Sequence, residues 1–165
     1  MKQDLNTWQD RHYSPYFWLV TFFGSGLVKP APGTWGSLAG LAIGIPMVQG
    51  LSLFGFMGAI VIVSLFGTVA INRVEQISGI HDAPEIVIDE VAGMWIALLP
   101  FFYLPQSWWG LASAFLLFRL FDIVKPWPIG WLDKRVSGGF GVMIDDIVAG
   151  IFTFVGIHIL VTVIA

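Results

Sequence analysis

Long apolar runs separated by short polar turns form the main pattern along the chain. A helix needs roughly 20 mostly apolar residues to cross a bilayer, because its backbone must satisfy its own hydrogen bonds in hydrocarbon. Five segments, labelled A to E, are candidates: Trp35–Gly50, Leu53–Ile71, Ile88–Leu104, Trp108–Val124 and Ile144–Ala165. Segment A is short and contains Pro46, so it is either a span or a re-entrant, kinked helix. The pattern predicts an all-α, polytopic membrane helix bundle with four to five transmembrane or re-entrant helices.

Composition strengthens this prediction. Of the 165 residues, 56% are hydrophobic and only 12% are charged, and the mean hydropathy is +0.80. These values are far from the averages of soluble domains. The chain has no cysteine, which excludes disulfides, thiolate nucleophiles, zinc thiolate sites and iron–sulfur clusters. We expect one integral-membrane domain over residues 1–165, with residues 1–16 as a cytoplasmic segment, the lipid bilayer as partner and no nucleic acid.

Charge is distributed unevenly between the predicted turns. With five spans, all the basic residues fall on or near one side: Lys2, Arg11, Lys29, Arg73, Arg119, Lys125, Lys134 and Arg135. The turns on the opposite side, around Gln49–Leu53 and Tyr103–Trp108, contain no Lys or Arg. The positive-inside rule places the charged side and the N-terminus in the cytoplasm. The acids lie on that side too, so one face of the bundle carries the candidate chemistry.

Two similar acidic motifs begin two of the predicted spans. Segment C opens with Asp89 and Glu90, and Asp89-Glu-Val-Ala-Gly93 is repeated as Asp146-Ile-Val-Ala-Gly150 at the predicted start of segment E. Segments C and E are expected to run in the same direction through the membrane. Equivalent ends of the two helices would therefore meet on the charged face.

A divalent cation is one explanation for these acids. Several carboxylates buried near each other cost several kcal/mol unless a cation compensates them. Oxygen ligands without cysteine favour Mg²⁺, which usually keeps waters and bridges to phosphate. The candidate ligands are Asp89, Glu90, Asp122, Asp145 and Asp146. The alternative is that these acids cap helix N-termini and interact with the helix dipole.

The lead-in to segment A, Gly24–Ser37, is a candidate phosphate site. Glycines such as Gly33 let backbone N–H groups approach an anion, Thr34 is a candidate N-cap, and Ser37 follows one turn later. An ordinary Pro/Gly turn before a span is the alternative. The segment is not a Walker A loop, which requires G-K-[ST] after a fixed gap.

A third group of charged residues lies in FRLFDIVKPWP, at the cytoplasmic end of segment D. Arg119 and Asp122 are spaced i,i+3 on one helix face, and Pro126 stops the helix just after Lys125. Arg119 could bind phosphate through its planar fork, with Asp122 as a metal ligand or as the residue that orients it, and Lys125 could add a second cation. Alternatively, Arg119 and Lys125 snorkel at the membrane boundary.

Two histidines have different expected roles. His81 lies next to Asp82 in a polar loop on the charged side, where it is a general acid, a phosphate contact or an ordinary loop histidine. His158 lies deep in segment E, near the uncharged side, and is expected to be a packing or interfacial residue.

Taken together, these motifs make the chain resemble the phosphatidylglycerophosphatase A family over nearly its whole length. The motifs are FGSGLVKPAPGTWGSL, IVIDEVAGMWI, FRLFDIVKPWPI and GFGVMIDDIVAG, in that order. The resemblance implies a bacterial, Mg²⁺-dependent, multi-pass enzyme of the inner membrane. Its expected reaction removes the terminal phosphate of phosphatidylglycerophosphate, giving phosphatidylglycerol.

The residues are compatible with that chemistry. The chain lacks the D-x-D-[TV] nucleophile and paired-histidine motifs of covalent phosphatases. Attack by a metal-activated water is therefore preferred. Asp89, Asp145 and Asp146 are expected ligands, and Glu90 is a ligand or general base. Direct attack by one of these carboxylates stays open.

Two other classes of protein are alternatives. A membrane ion or metabolite transporter could use rim carboxylates, since acids within membranes often line pathways. However, the span centres contain essentially no ionisable group except His158, which favours an interfacial site. A noncatalytic lipid-binding or assembly subunit would not need clustered acids.

Overall fold

The structure is a computed structural model that describes residues 4–81 and 83–164, with side chains as far as Val161. Lys2, Asp82 and Ala165, which the sequence interpretation included, lie outside this part. The described residues form seven α-helices: α1 (Pro15–Val20), α2 (Pro32–Gly50), α3 (Leu53–Ser78), α4 (Ile88–Ala97), α5 (Trp108–Val124), α6 (Ile129–Arg135) and α7 (Gly138–Ile164). No strand occurs among them. The predicted all-α class is confirmed.

Helix α4 is the centre of the bundle. Every residue of α4 except Glu90 is buried, and α2, α3, α5 and α7 pack around it, α7 most extensively. Segment C was predicted to continue to Leu104, but α4 ends at Ala97 and a 3₁₀ turn, Leu99–Phe102, follows. Pro100 explains the break, because proline lacks the N–H that an α-helix needs. Segment C is thus a short core helix, not one long span.

Helix α7 begins at Gly138, earlier than the predicted Ile144. Gly138 has a positive φ of 74°, and the Gly139 N–H donates to Asn72 Oδ1 at 2.7 Å, so the first turn of α7 is fixed against α3. Asp145 and Asp146 therefore lie about two turns inside the helix. The alternative that these two acids cap a helix N-terminus is wrong.

Two of the described helices are long and apolar enough to cross a membrane. They are α3, with a mean hydropathy of 2.3, and α7, with 1.9. Helix α5 has the predicted bounds, and α2 begins at Pro32 instead of Trp35. At the end without charges, Gln49 Nε2 donates to Gln106 Oε1 at 2.9 Å, so the two uncharged turns are neighbours.

The N-terminal segment is tied to the loop that leads into α4. The buried Glu85 side chain accepts a hydrogen bond from the Leu5 N–H at 3.1 Å, and Leu5 itself is fully buried. Asp4 Oδ2 lies 3.1 Å from Lys29 Nζ, which links the same segment to the Gly24–Ser37 lead-in. These contacts link the loop before α4 to the Gly24–Ser37 lead-in through the N-terminal segment.

Candidate active site

Three carboxylates from two helices meet at one end of the bundle. Asp89 and Glu90 lie in the first turn of α4, and Asp146 lies in α7. Each offers a carboxylate oxygen, and these oxygens lie within 4.8 Å of one another. Asp89 and Asp146 are buried and Glu90 is half-buried. We call these residues the three-acid cluster.

The close packing of α4 on α7 brings the cluster together. The two helices run in parallel, and the glycines of the repeated motif, Gly93 and Gly150, lie at the point of contact. A Cβ on Gly93 would lie 2.5 Å from the Asp146 carbonyl oxygen, and a Cβ on Gly150 would clash with the Gly93 carbonyl. Only glycine allows this approach. As the repeat predicted, the two motifs deliver Asp89 and Asp146 to the same place.

The cluster fits a hard cation. Asp89 Oδ1, Glu90 Oε2 and Asp146 Oδ1 are buried and have no hydrogen-bond partner among the residues described. A buried carboxylate oxygen without a partner is costly, and three such oxygens so close together repel one another. A bound cation removes both costs. Carboxylate oxygens without sulfur or imidazole favour Mg²⁺ or a similar hard ion.

The other two predicted ligands are held by basic side chains. Asp145 Oδ2 lies 2.5 Å from Lys125 Nζ, and the same Nζ lies 2.6 Å from Asp133 Oδ1. Burial alone would lower the pKa of Lys125, but its hydrogen bonds to Asp133 and Asp145 outweigh burial and raise that pKa. Lys125 therefore stays protonated beside the cluster.

Asp122, the other predicted ligand outside the three-acid cluster, is held by Arg119. Arg119 Nη1 donates to Asp122 Oδ2 at 2.6 Å and to Ser37 Oγ at 3.3 Å, and it lies 4.0 Å from Glu90 Oε1. Gly33 passes so close that a Cβ there would clash with Glu90 Oε1 and lie 3.2 Å from Arg119 Nη1. The Gly24–Ser37 lead-in thus packs directly behind Glu90.

A cavity of about 570 Å³ opens over the three-acid cluster. Seven of the sequence-predicted site residues line it: His81, Asp89, Glu90, Asp122, Lys125, Asp145 and Asp146. Four others do not line it: Gly33, Thr34, Ser37 and Arg119. Their phosphate-binding role stays a prediction. The predicted capping by Thr34 is wrong, because the N-cap position of α2 is Ala31.

Sequence reasoning missed four charged residues of the cavity wall: Glu75, Asp133, Lys134 and Arg135. Glu75 Oε2 lies 3.6 Å from Nδ1 of the largely exposed His81. The other three lie on α6, which was not predicted because it has only seven residues. One signal was available, since D-K-R begins five residues after the charged motif around Lys125 and lies on the same predicted side.

Comparison with known proteins shows the family of this chain. Residues 18–161 match the family model described as Phosphatidylglycerophosphatase A. The chain belongs to the phosphatidylglycerophosphatase A family. It is 41% identical over 143 residues to a Haemophilus influenzae protein of that name, with 86% of each chain covered. It is 40% identical over 155 residues to the Escherichia coli protein of that name, covering 88% of this chain and 86% of the relative.

A third relative has a different name. A Bacteroides thetaiotaomicron protein, named provisionally as a phosphatidylinositol-3-phosphatase, is 39% identical over 139 residues, covering 82% of this chain and 86% of the relative. No solved structure matches the chain. Membership of the phosphatidylglycerophosphatase A family makes the chain a phosphatase, and the three-acid cluster is its candidate active site.

Proposed function

We propose that this protein is a Mg²⁺-dependent lipid phosphatase that hydrolyses phosphatidylglycerophosphate to phosphatidylglycerol and inorganic phosphate. The observation that carries the proposal is the set of three carboxylates, each with one buried oxygen that has no hydrogen-bond partner among the described residues, below a cavity that Lys125 also lines. Two relatives at about 40% identity bear the name of this activity. The reaction breaks the bond between phosphorus and the headgroup oxygen and adds water across it.

Asp89, Glu90 and Asp146 would hold the metal in this proposal. When bound, Mg²⁺ neutralises phosphate oxygens and lowers the pKa of a coordinated water. Arg119 lies behind the cluster, where its guanidinium fixes Asp122 and offsets part of the negative charge of Glu90. Holding a ligand in position from behind in this way is typical of metal sites.

Lys125 is the cation best placed to meet the phosphate. It lines the cavity and is anchored by Asp133 and Asp145, so its ammonium group is fixed without being buried completely. A positive charge beside the metal site favours the dianionic phosphomonoester over the product lipid, which has lost that dianion and keeps only the singly charged diester.

The membrane setting that we propose is the bacterial inner membrane, with the cavity at the cytoplasmic surface. Helices α3 and α7 carry large apolar side chains on their outer surfaces, among them Leu65, Phe66 and Ile159. A lipid phosphomonoester keeps its tails in the bilayer and its phosphate at the surface. A site at one end of the bundle therefore meets the phosphate where it lies, without extraction of the lipid.

A phosphate-release assay tests the proposal. The purified protein in neutral detergent is given phosphatidylglycerophosphate with Mg²⁺, with EDTA, and with EDTA followed by excess Mg²⁺. We expect phosphate release only in the first and third samples. Release that is unchanged by EDTA would refute the metal dependence, and no release in any sample would refute phosphatidylglycerophosphate as the substrate.

A further inference from the structure

The cavity extends past the three-acid cluster to two basic residues on α6. Lys134 and Arg135 lie in the last turn of α6 and line the same cavity as the acids. We call these two residues the basic rim. A volume of about 570 Å³ is in the range that holds a whole small-molecule ligand, and it exceeds what one phosphate group requires.

The basic rim is free to bind an anion. Within the described residues, Lys125 forms ion pairs with two carboxylates, whereas Lys134 and Arg135 form no ion pair. The Arg135 guanidinium lies over the Trp131 ring, 5.7 Å from its centroid. Such stacking restrains the planar fork and leaves its N–H groups available for an oxyanion.

The substrate proposed above contains a second anion. Phosphatidylglycerophosphate has a terminal phosphomonoester and, one glycerol unit away, a phosphodiester that joins the headgroup to the diacylglycerol. The reaction uses only the monoester. The diester is singly charged, and it would remain near the cavity wall when the monoester lies at the cluster.

We propose that Lys134 and Arg135 form a subsite for the phosphodiester of the substrate. This inference rests on the proposed function and names the part of the ligand that the rim recognises. The rim then selects lipids whose terminal phosphate is separated from the membrane by a second, diester phosphate. A monoester attached directly to diacylglycerol would leave the subsite unfilled.

Steady-state kinetics in uncharged detergent micelles test the subsite. The variants are R135Q, K134Q and the double variant, with phosphatidylglycerophosphate as substrate and inorganic phosphate as competitive inhibitor. The matched control is R73Q, an exposed arginine of α3 that does not line the cavity. Uncharged micelles remove any general attraction of cations to anionic lipid.

We expect KM to rise about 5- to 10-fold in each single variant, as for loss of a charge-assisted hydrogen bond at an exposed site. The kcat and the inhibition constant of inorganic phosphate should stay within about twofold of the parent values, because the monoester site is intact. R73Q should match the parent in all three quantities.

Two results would overturn the subsite while leaving the phosphatase activity established. One is an unchanged KM in the double variant. The other is a parallel rise in KM and in the phosphate inhibition constant, which would mean that the rim acts on the monoester or through its general field. A parent protein that releases no phosphate with Mg²⁺ would instead overturn the proposed function.

Discussion

Gly93 of α4 and Gly150 of α7 lie in direct contact, so close that neither position has room for a Cβ atom. This crossing stands one turn from Asp89 and Asp146, and it sets the separation of the carboxylates that form the three-acid cluster. The repeated D-x-V-A-G motif is therefore both a packing motif and a site motif. The glycine of each motif allows the close packing of α4 on α7 that brings the two aspartates together.

The first prediction concerns this crossing. Gly150→Ala should force α4 and α7 apart, lower the free energy of unfolding by about 1–3 kcal/mol and reduce phosphatase activity. Gly58→Ala on α3 is the matched control, because a Cβ at Gly58 has no atom within 4 Å. Thermal unfolding in detergent and phosphate release measure the two effects. An active, stable Gly150→Ala protein would show that the crossing does not position the acids.

The second prediction concerns the cluster itself. Asp89→Asn and Asp146→Asn should each lower turnover by about 100-fold or more, since each removes a ligand charge from a hard cation. Both proteins should still fold, because the amide replaces a carboxylate that lacks a hydrogen-bond partner on one oxygen. Calorimetry with Mg²⁺ alone should show weakened binding.

Asp10→Asn is the control for these two variants. Asp10 is exposed and its side chain makes no capping hydrogen bond. Asp4 is less suitable, because it accepts from the Asn6 N–H and pairs with Lys29. Normal turnover in both cluster variants would contradict a metal site at the three-acid cluster.

The third prediction separates two roles of Arg119. The sequence favoured a phosphate contact, but the guanidinium lies behind Glu90 and bonds Asp122 and Ser37. Arg119→Lys should therefore lower kcat through misplaced acids, with KM changed little. Loss of about 1–3 kcal/mol of charge-assisted hydrogen bonding corresponds to a fall of about 5- to 150-fold. A selective rise in KM would instead restore the role of phosphate binding.

The fourth prediction concerns pH and Glu85, outside the cluster. Burial, followed by its hydrogen bond with Asp4, raises the pKa of the Glu85 carboxyl above its usual 4.5. The same hydrogen bond, followed by one from the Asn6 N–H, lowers the pKa of Asp4. A raised pKa means that the folded protein binds this proton more tightly than the unfolded chain. The resulting stabilisation is complete below about pH 4.5 and is lost as pH rises through the raised pKa.

Glu85→Gln should remove this dependence, because an amide stays neutral and its oxygen can still accept from the Leu5 N–H. As the pH is raised from about 4 to about 8, the Tm of Glu85→Gln should rise relative to that of the parent. Thermal unfolding across this range measures the difference. A constant offset between the two proteins, or an equal trend in Asp10→Asn, would contradict the role of the Glu85 proton.

Much of the candidate site was predictable, because burying its charged residues next to apolar helices costs free energy. Acids at the start of apolar runs indicate a function that compensates for their charge. A five-residue repeat ending in glycine identified both helices that supply the cluster. The bounds of α5 also followed from the pattern, since Ser107 caps its first turn and Pro126 follows its end.

The sequence by itself determined the helical class, the family and the acids that are candidates for the site. The length of each apolar run and the presence of a charge beside it can be read directly from the order of the residues. Only the tertiary structure decided which acids lie close enough to share a cation, since Lys125 pairs with Asp145 of another helix, whereas Arg119 pairs with Asp122 within α5. It also decided that α4 is a short core helix and that α6 supplies the basic rim. Both depend on how neighbouring helices pack, and a local pattern of polar and apolar residues does not contain that information.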